Sequence, residues 1–478
     1  MNNGGSPILP CAAFPAGPWG LLRSPILHVS AVGMVYLALA LAWIASPRPH
    51  GEEVSEVAAV YRYLGRPVED LPPGLDGFMP GLSAFGHWLP VAQDTPYLGA
   101  VELYLEYPFL RWMGLNAFAL RIVPVAAGLA VVLASHALIR RYFGRTAALL
   151  ASALLATHGV WVHLVRQGHR FDEAFTAFFF VSSAFLASRY ASAPKRRLGS
   201  LMAAALLFGL GLSHKITFLW YLVACVVTSL VFRPRFPKLP SRHGTFALAA
   251  LGVGSLPVFV NLLVTRWQAL RMMAVSVIRP TPKDGVDNLD YAANLGTRVW
   301  QLVYLTAKGQ IWDPSWFSVC EGRVFSYNYL FMVLFVAACI VLPVVSLRDR
   351  SAAWSLPLRV GFCFYGVVLL CSPFTVSVLR PSHLLVFFPF PPFAVAALLA
   401  LLPGLFPAIR WLRPAVVTLA LLCIGSNALL TLQYSLAAVH SDAGRMTAFT
   451  PLDAEEHWAL RDAGAAKKKE VEALPTPW

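Results

Sequence analysis

Charge is what this chain is short of. Asp, Glu, Lys and Arg make up 13% of its 478 residues, where ordinary soluble domains carry roughly 25%. That deficit excludes a solvated globular surface over most of the length. Cysteine chemistry is missing as well. Cys11, Cys225, Cys320, Cys339, Cys363, Cys371 and Cys423 show no CxxC or CxxH spacing, so neither a disulfide framework nor a zinc site is indicated. No HExxH is present, and His169, His214 and His383 lie far apart, without the spacing of a metal-binding helix. No internal repeat is evident. Residues 1–22 lack a basic n-region and an A-x-A cleavage site, so residues 1–24 are expected to be a disordered tail before a retained span.

What is present is apolar sequence. The chain is 57% hydrophobic with a mean hydropathy of +0.62, and apolar runs of about 20 residues recur throughout. The expected fold class is an all-α polytopic membrane protein. Spans are predicted at 25–45, 117–138, 147–165, 174–188, 198–212, 216–232, 245–264, 327–347, 358–374, 384–402 and 415–436, about eleven in all. They form one membrane domain, 25–436, interrupted by two long loops at 46–116 and 265–326 and followed by a short hydrophilic tail at 437–478. That tail is too short for a separate core.

The formal charge of +14 is not in one block. Arg140, Arg141, Arg145, Lys195, Arg196, Arg197, Arg233, Arg235, Lys238, Arg242, Arg348, Arg350, Arg359, Arg410 and Arg413 fall in alternating loops, with Asp349 the only acid between spans there. This is the cytoplasmic signature of the positive-inside rule rather than a nucleic-acid surface. Both long loops, the turn RQGHRFDE at 166–173, His214–Lys215 and the segment 380–383 then fall on the outer face. The C-terminal tail falls there too.

That face collects the unusual ionisable residues. Glu52 and Glu53 follow the first span directly. Behind them Val54, Val57, Ala58, Tyr61 and Leu64 keep a helical rhythm, which suits a helix lying along the membrane surface. Carboxylates at such an apolar boundary suit general-base work. Asp172 and Glu173 open the fourth span beside His169 and Arg170; Asp172 can cap the helix and still bind. Lys215 lies between two apolar spans with almost no loop. An ammonium there is costly unless it snorkels or meets an anion such as phosphate. Arg380 and His383 open the tenth span, where Arg can hold a phosphate bidentately or anchor the interface. Trp267, Trp300, Trp312 and Trp316 in the second long loop suit either sugar stacking or headgroup anchoring.

Several stretches carry a family resemblance. They are the acidic pair after the first span, PYLGAVELYLEYPFLRWMGLNAFALRIVPVAAG, RRYFGR, RQGHRFDEAFTAFFF, the lone His-Lys between spans five and six, and LRPSHLLVFFPFPPFAVAALLAL. Together they resemble the GT-C glycosyltransferases of the protein O-mannosyltransferase and lipid A aminoarabinose transferase type (glycosyltransferase family 39-like). The resemblance is best over 45–217 and echoes at 379–402. It implies the GT-C fold and a catalytic acidic pair at Glu52 and Glu53, where this chain has Glu in place of the family's usual Asp. It further implies a catalytic acid at Asp172. The lipid phosphate and sugar would be bound by Lys215, Arg380, His383, Arg170, His169, Glu173 and Tyr97.

The function then expected is transfer of a sugar from a polyprenyl-phosphate donor to a lipid, glycan or protein acceptor at the outer face of a bacterial inner membrane. It would proceed by a single inverting displacement. No cofactor is implied, and a divalent cation is left open. A flippase of lipid-linked sugars and a non-catalytic assembly subunit are the competing expectations. The first calls for ionisable residues near mid-span.

Overall fold

A computed structural model describes residues 25–45, 81–84, 87–92, 99–114, 116–166, 173–192, 197–233, 239–267, 270, 290–303, 328–374 and 381–441. The described chain is almost wholly helical. Helix α1 is Pro25–Leu41; a hairpin of β1 (Gly81–Ala84) and β2 (His87–Pro90) follows, then α2 (Val101–Met113) and the long α3 (Ala117–Thr157). Next come the short α4 (Gly159–Arg166), α5 (Glu173–Ser192), α6 (Leu198–His214), α7 (Phe218–Val231) and α8 (Ser241–Val264). The last part holds α9 (Tyr291–Gln301), α10 (Tyr329–Arg348), α11 (Ser355–Cys371), a 3-10 helix (Pro381–Phe387), α12 (Phe390–Leu405) and α13 (Leu412–Ser441).

Six of these stretches are long and apolar enough to cross a membrane: Ala117–Thr157, Ala174–Ala191, Ser241–Val264, Tyr329–Arg348, His383–Leu405 and Leu412–Leu436. Four shorter apolar helices accompany them, at Ile26–Leu41, Leu198–His214, Phe218–Val231 and Ser355–Cys371. The lipid-facing character is plain on α8, where Leu248, Val253, Leu256, Phe259 and Leu263 are all more than half exposed.

Helix α3 is not one rod. Gly144 has φ 83° and ψ −179°, a backbone state open to glycine and rarely to other residues. His136 Nδ1 lies 3.0 Å from Ser152 Oγ. Sixteen residues of straight helix would separate the two by about 24 Å. The chain therefore doubles back at Gly144, inside RRYFGR, and the two halves of α3 are the expected second and third spans.

The third span departs from expectation in one respect. Its helix breaks at His158 (φ −70°, ψ 119°) and restarts as α4, all eight residues of which are buried. The apolar run continues through GVWVHLV, so hydropathy carries no mark of the break. The hairpin β1–β2, with Leu82 opposite Leu89, was likewise not anticipated in the first long loop.

Helix association in lipid lacks a hydrophobic drive and leans on close packing of small residues and on interhelical hydrogen bonds. The α6–α8 pair uses both. A Cβ on Gly209 would lie 2.5 Å from the Leu251 carbonyl oxygen, and one on Gly254 would lie 2.3 Å from that of Leu206. At the same seam Ser213 Oγ donates to the Gly254 carbonyl (3.0 Å) and accepts from the Val258 N–H (3.3 Å). It thus bridges two groups that an unbroken helix would join directly, one residue after Pro257.

Candidate functional site

The site is built where helix ends meet. Helix α6 stops at His214, and Lys215 is its C-cap in extended backbone (φ −148°, ψ 144°). Three residues later α7 begins. A cation at a helix C-terminus is favoured by the carbonyl end of the dipole, which helps hold the half-buried Lys215 charged. His214 is fully buried, its ring 5.6 Å from Phe175 and 5.8 Å from Phe179 in the first turns of α5. The beginning of α5, which Asp172 immediately precedes, therefore packs on the Lys215 end of α6.

The 3-10 helix bearing His383 closes on the same wall. Leu385 and Phe388 cluster with Ala174 and Ala177 of α5 and with Trp161 of α4. Tyr221 of α7 hydrogen-bonds the Val386 carbonyl, and Phe180 stacks on Tyr221 at 4.3 Å. His383 itself is half-buried.

The first long loop enters through Gly99. Its N–H donates to the His214 carbonyl at 2.8 Å, and a Cβ there would sit 1.7 Å from Ser213 O. Only glycine lets the backbone come that near. Helix α2 starts two residues later, and Tyr104 Oη donates to Pro90 O at 2.7 Å, tying it to the hairpin. Asn116 caps α3 by accepting from Ala119 N–H (2.8 Å). One turn on, the fully buried Arg121 donates from Nη1 to Ile44 O at 2.6 Å, fixing the exit of α1 from which the chain runs toward Glu52.

Of the residues expected from the sequence, the structure brings Lys215, His383 and the start of α5 at Glu173 to one end of the bundle. Glu52, Glu53, Tyr97, His169, Arg170, Asp172 and Arg380 lie outside the described residues, as does the surface helix expected over 54–64. For Glu173 only the backbone is described.

Sequence reasoning passed over the functional weight of five buried glutamate and arginine side chains. Glu102 and Glu106 are fully buried on α2, within the stretch expected as the first long loop. Their phase was the available signal, since they share a helix face with the buried Leu103 and Leu110. Arg121 and Arg166 are buried at helix ends. Arg298 is 1% exposed on α9, whose polarity is inverted: Asn294, Arg298 and Gln301 face inward while Val299 and Trp300 face outward. Arg298 Nη1 donates to Gln301 Oε1 at 3.0 Å, and burial pulls the guanidinium down to about 10. It stays cationic at neutral pH. Among the described residues no group of three or more His, Cys, Asp or Glu side chains gathers closely enough to hold a metal ion.

Chemically, the arrangement puts a lysine and a helix N-terminus at one place, a setting that favours an anion. It lies beside the exits of the segment that carries Glu52 and Glu53 and of the one that carries Asp172.

Comparison with known proteins fits this geometry. Residues 102–263, from α2 through α8, match the family of dolichyl-phosphate-mannose-protein mannosyltransferases. No curated protein sequence matches the chain. Among solved structures, ArnT from Cupriavidus metallidurans bound to undecaprenyl phosphate aligns with a TM-score of 0.53 at 13% identity, over 95% of this chain and 81% of that one. The oligosaccharyltransferase of Archaeoglobus fulgidus in its apo form aligns with a TM-score of 0.52 at 12% identity, over 86% of this chain and 56% of that one. This chain thus spans little more than half of the archaeal enzyme's length. At such identities the structural likeness speaks to fold alone. This is, then, an integral membrane protein with the GT-C fold, and residues 102–263, from α2 to α8, match the mannosyltransferase family's model.

Proposed function

We propose that the chain is a membrane glycosyltransferase that moves a sugar from a polyprenyl-phosphate-linked donor to an acceptor on the extracytoplasmic side. The observation that carries the reading is the meeting of Lys215, the N-terminus of α5 and the Gly99 strap of the first long loop at one end of the bundle. It is supported by the family match over that same segment and by the undecaprenyl phosphate bound to the structurally similar ArnT. The arginine-rich loops at the other end of the predicted spans support an outward orientation for this end, and the reading sets it in a bacterial inner membrane.

In this reading the donor phosphate rests against Lys215, aided by Arg380 or Arg170. Glu52 or Glu53, with Asp172, takes the proton of the acceptor hydroxyl or amine. The acceptor's lone pair forms the new bond to the anomeric carbon while the bond from that carbon to the phosphate oxygen breaks. The bonding pair leaves with polyprenyl phosphate, whose developing charge the cations stabilise. One displacement inverts the anomeric centre, and no glycosyl-enzyme forms.

The test is reconstitution with labelled undecaprenyl-phosphate sugars, comparing the wild type with Glu52→Gln, Glu53→Gln and Asp172→Asn. Transfer by the wild type and its loss in the variants supports the reading. Undiminished transfer by all three variants would sink the catalytic assignment, and scrambling of the lipid without transfer would make the protein a flippase.

A further inference from the structure

Two short elements carry the described basic side chains of the site. Lys215 opens the turn into α7, and His383 lies on the 3-10 helix Pro381–Phe387. The Lys215 turn is rigid. Phe218, Leu219 and Trp220 donate their N–H groups to the carbonyls of Lys215, Ile216 and Thr217 at 3.0, 2.9 and 3.1 Å. The Phe218 ring also lies only 2.2 Å from where a Cβ on Gly211 would be, so the turn is pressed onto α6.

Tyr221 follows Lys215 by six residues, within about 12 Å of helical rise. Its ring meets Phe218 edge-on at 5.4 Å. Phe180 of α5 stacks on it at 4.3 Å and Phe364 of α11 at 5.7 Å, and the two phenylalanines stack on each other at 4.6 Å. Tyr221 is fully buried, and a buried phenol needs a hydrogen-bond partner. It donates to the Val386 carbonyl of the 3-10 helix.

The sequence explains why that carbonyl takes a side-chain donor. A 3-10 helix pairs each carbonyl with the N–H three residues on. Three residues after Val386 stands Pro389, which has no N–H. Pro391 and Pro392 follow, so the joint between the 3-10 helix and α12 is poor in backbone donors. The attitude of the 3-10 helix is therefore set from the side, by Tyr221 and by the packing of the buried Leu384, Leu385 and Phe387. His383 lies one 3-10 turn, about 6 Å, before Val386.

One interhelical polar bond contributes only about 0.6 kcal/mol in lipid, so stability is not its main effect. What a directional bond adds is alignment between the element that carries His383 and the short helix that carries Lys215. We propose that Tyr221 is a positioning residue: through the Val386 carbonyl it sets the spacing of His383 from Lys215, and so the fit of a lipid phosphate between the two. The proposal rests on the reading given above, in which a polyprenyl phosphate is held at this end of the bundle.

The experiment uses the full-length protein in lipid nanodiscs, with radiolabelled undecaprenyl phosphate as the probe. Kd and Tm are measured for the wild type, Tyr221→Phe, His383→Ala, Lys215→Met and the double variant Tyr221→Phe with His383→Ala. Tyr221→Phe should weaken binding about fivefold, the scale of one hydrogen bond's net contribution. His383→Ala and Lys215→Met should each weaken it as well. Beside His383→Ala, the change at Tyr221 should cost less than about twofold, because a residue that acts through His383 has nothing left to place. A merely structural role predicts the same loss in both backgrounds.

Wild-type affinity in Tyr221→Phe overturns the proposal, and so does an equal loss with and without His383. Should Tyr221→Phe not fold, Phe180→Leu decides, since it removes the ring stacked on Tyr221. It should weaken binding in the wild-type background and not beside His383→Ala; equal losses, or none, overturn the proposal. The remaining variants separate the two levels. A wild type that does not bind undecaprenyl phosphate, or binds it equally well after Lys215→Met and after His383→Ala, removes the donor reading and the proposal together. Weaker binding in Lys215→Met beside wild-type affinity in His383→Ala or Tyr221→Phe removes the positioning role alone.

Discussion

The backbone N–H of Gly99 and the carbonyl of His214 are joined at 2.8 Å, so the first long loop is stitched to the helix end that presents Lys215. The stitch depends on a missing side chain, because any Cβ at residue 99 would overlap the Ser213 carbonyl.

Gly99→Ala should therefore lift the loop from α6 at a cost of about 1–3 kcal/mol, the usual range for forced overpacking. Donor turnover is expected to fall about tenfold or more, with the helical content of the bundle unchanged by circular dichroism. Wild-type turnover in Gly99→Ala would show that the strap is dispensable.

Lys215→Met removes the cation at the end of α6 while keeping much of the stem's length. The donor KM should rise about tenfold or more, as expected for loss of a charge-assisted contact to phosphate. Lys215→Arg should keep part of the affinity. Binding of undecaprenyl phosphate, measured by competition against labelled donor, checks both.

The carboxylates should separate by role. Removal of a general base costs about 10²–10⁴ in rate, so one of Glu52→Gln and Glu53→Gln should fall in that range with donor binding intact. Glu→Asp at the same position should restore activity better than Gln. Rates over a pH series identify the base, since the acid limb of the profile should vanish in the Gln variant.

Arg298 gives a prediction about stability. Burial pulls its guanidinium down from the ordinary arginine value to about 10, so between the two the unfolded chain binds more protons and stability rises with pH. The cost of burying the charge is then fully present below about pH 10, including neutral pH. Arg298→Gln should leave Tm at pH 7 unchanged or raised, and should abolish the upward slope of Tm with pH above 10. Differential scanning fluorimetry in detergent reads both.

How much of this could be read from the chain depends on the range of the signal. Runs such as residues 245–264 announce themselves by length and apolarity, and α8 at Ser241–Val264 extends that expectation by only four residues. The doubling back at Gly144 was marked by its arginines. The break at His158 was not, because GVWVHLV is as apolar as its flanks and the groups that stabilise the break, Asn427 and Thr431, lie on α13. The partner of Arg166, Ser435, is 269 residues away, beyond any spacing rule, so Arg166 read as the start of a polar turn rather than as the end of a buried helix. Lys215 stands out by chemistry, as a charge with too little loop around it, and His383 by its place at the opening of a span. Glu102 and Glu106 fall inside the expected first loop, where helical phase with Leu103 and Leu110 is the signal of their burial. Glu52, Glu53, Asp172 and Arg380 stand on residue type, position and family pattern, since they fall outside the described residues.

The glycine seam between α6 and α8 has a mechanical consequence. With backbone against backbone at Gly209 and Gly254, and the Ser213 hydroxyl set into the other helix, the two have little room to slide at that crossing. The pair behaves as a strut, and Lys215 is mounted on its tip. If the proposed donor binds here, whatever moves to admit its long lipid is another part of the bundle, while the ammonium waits at a fixed post.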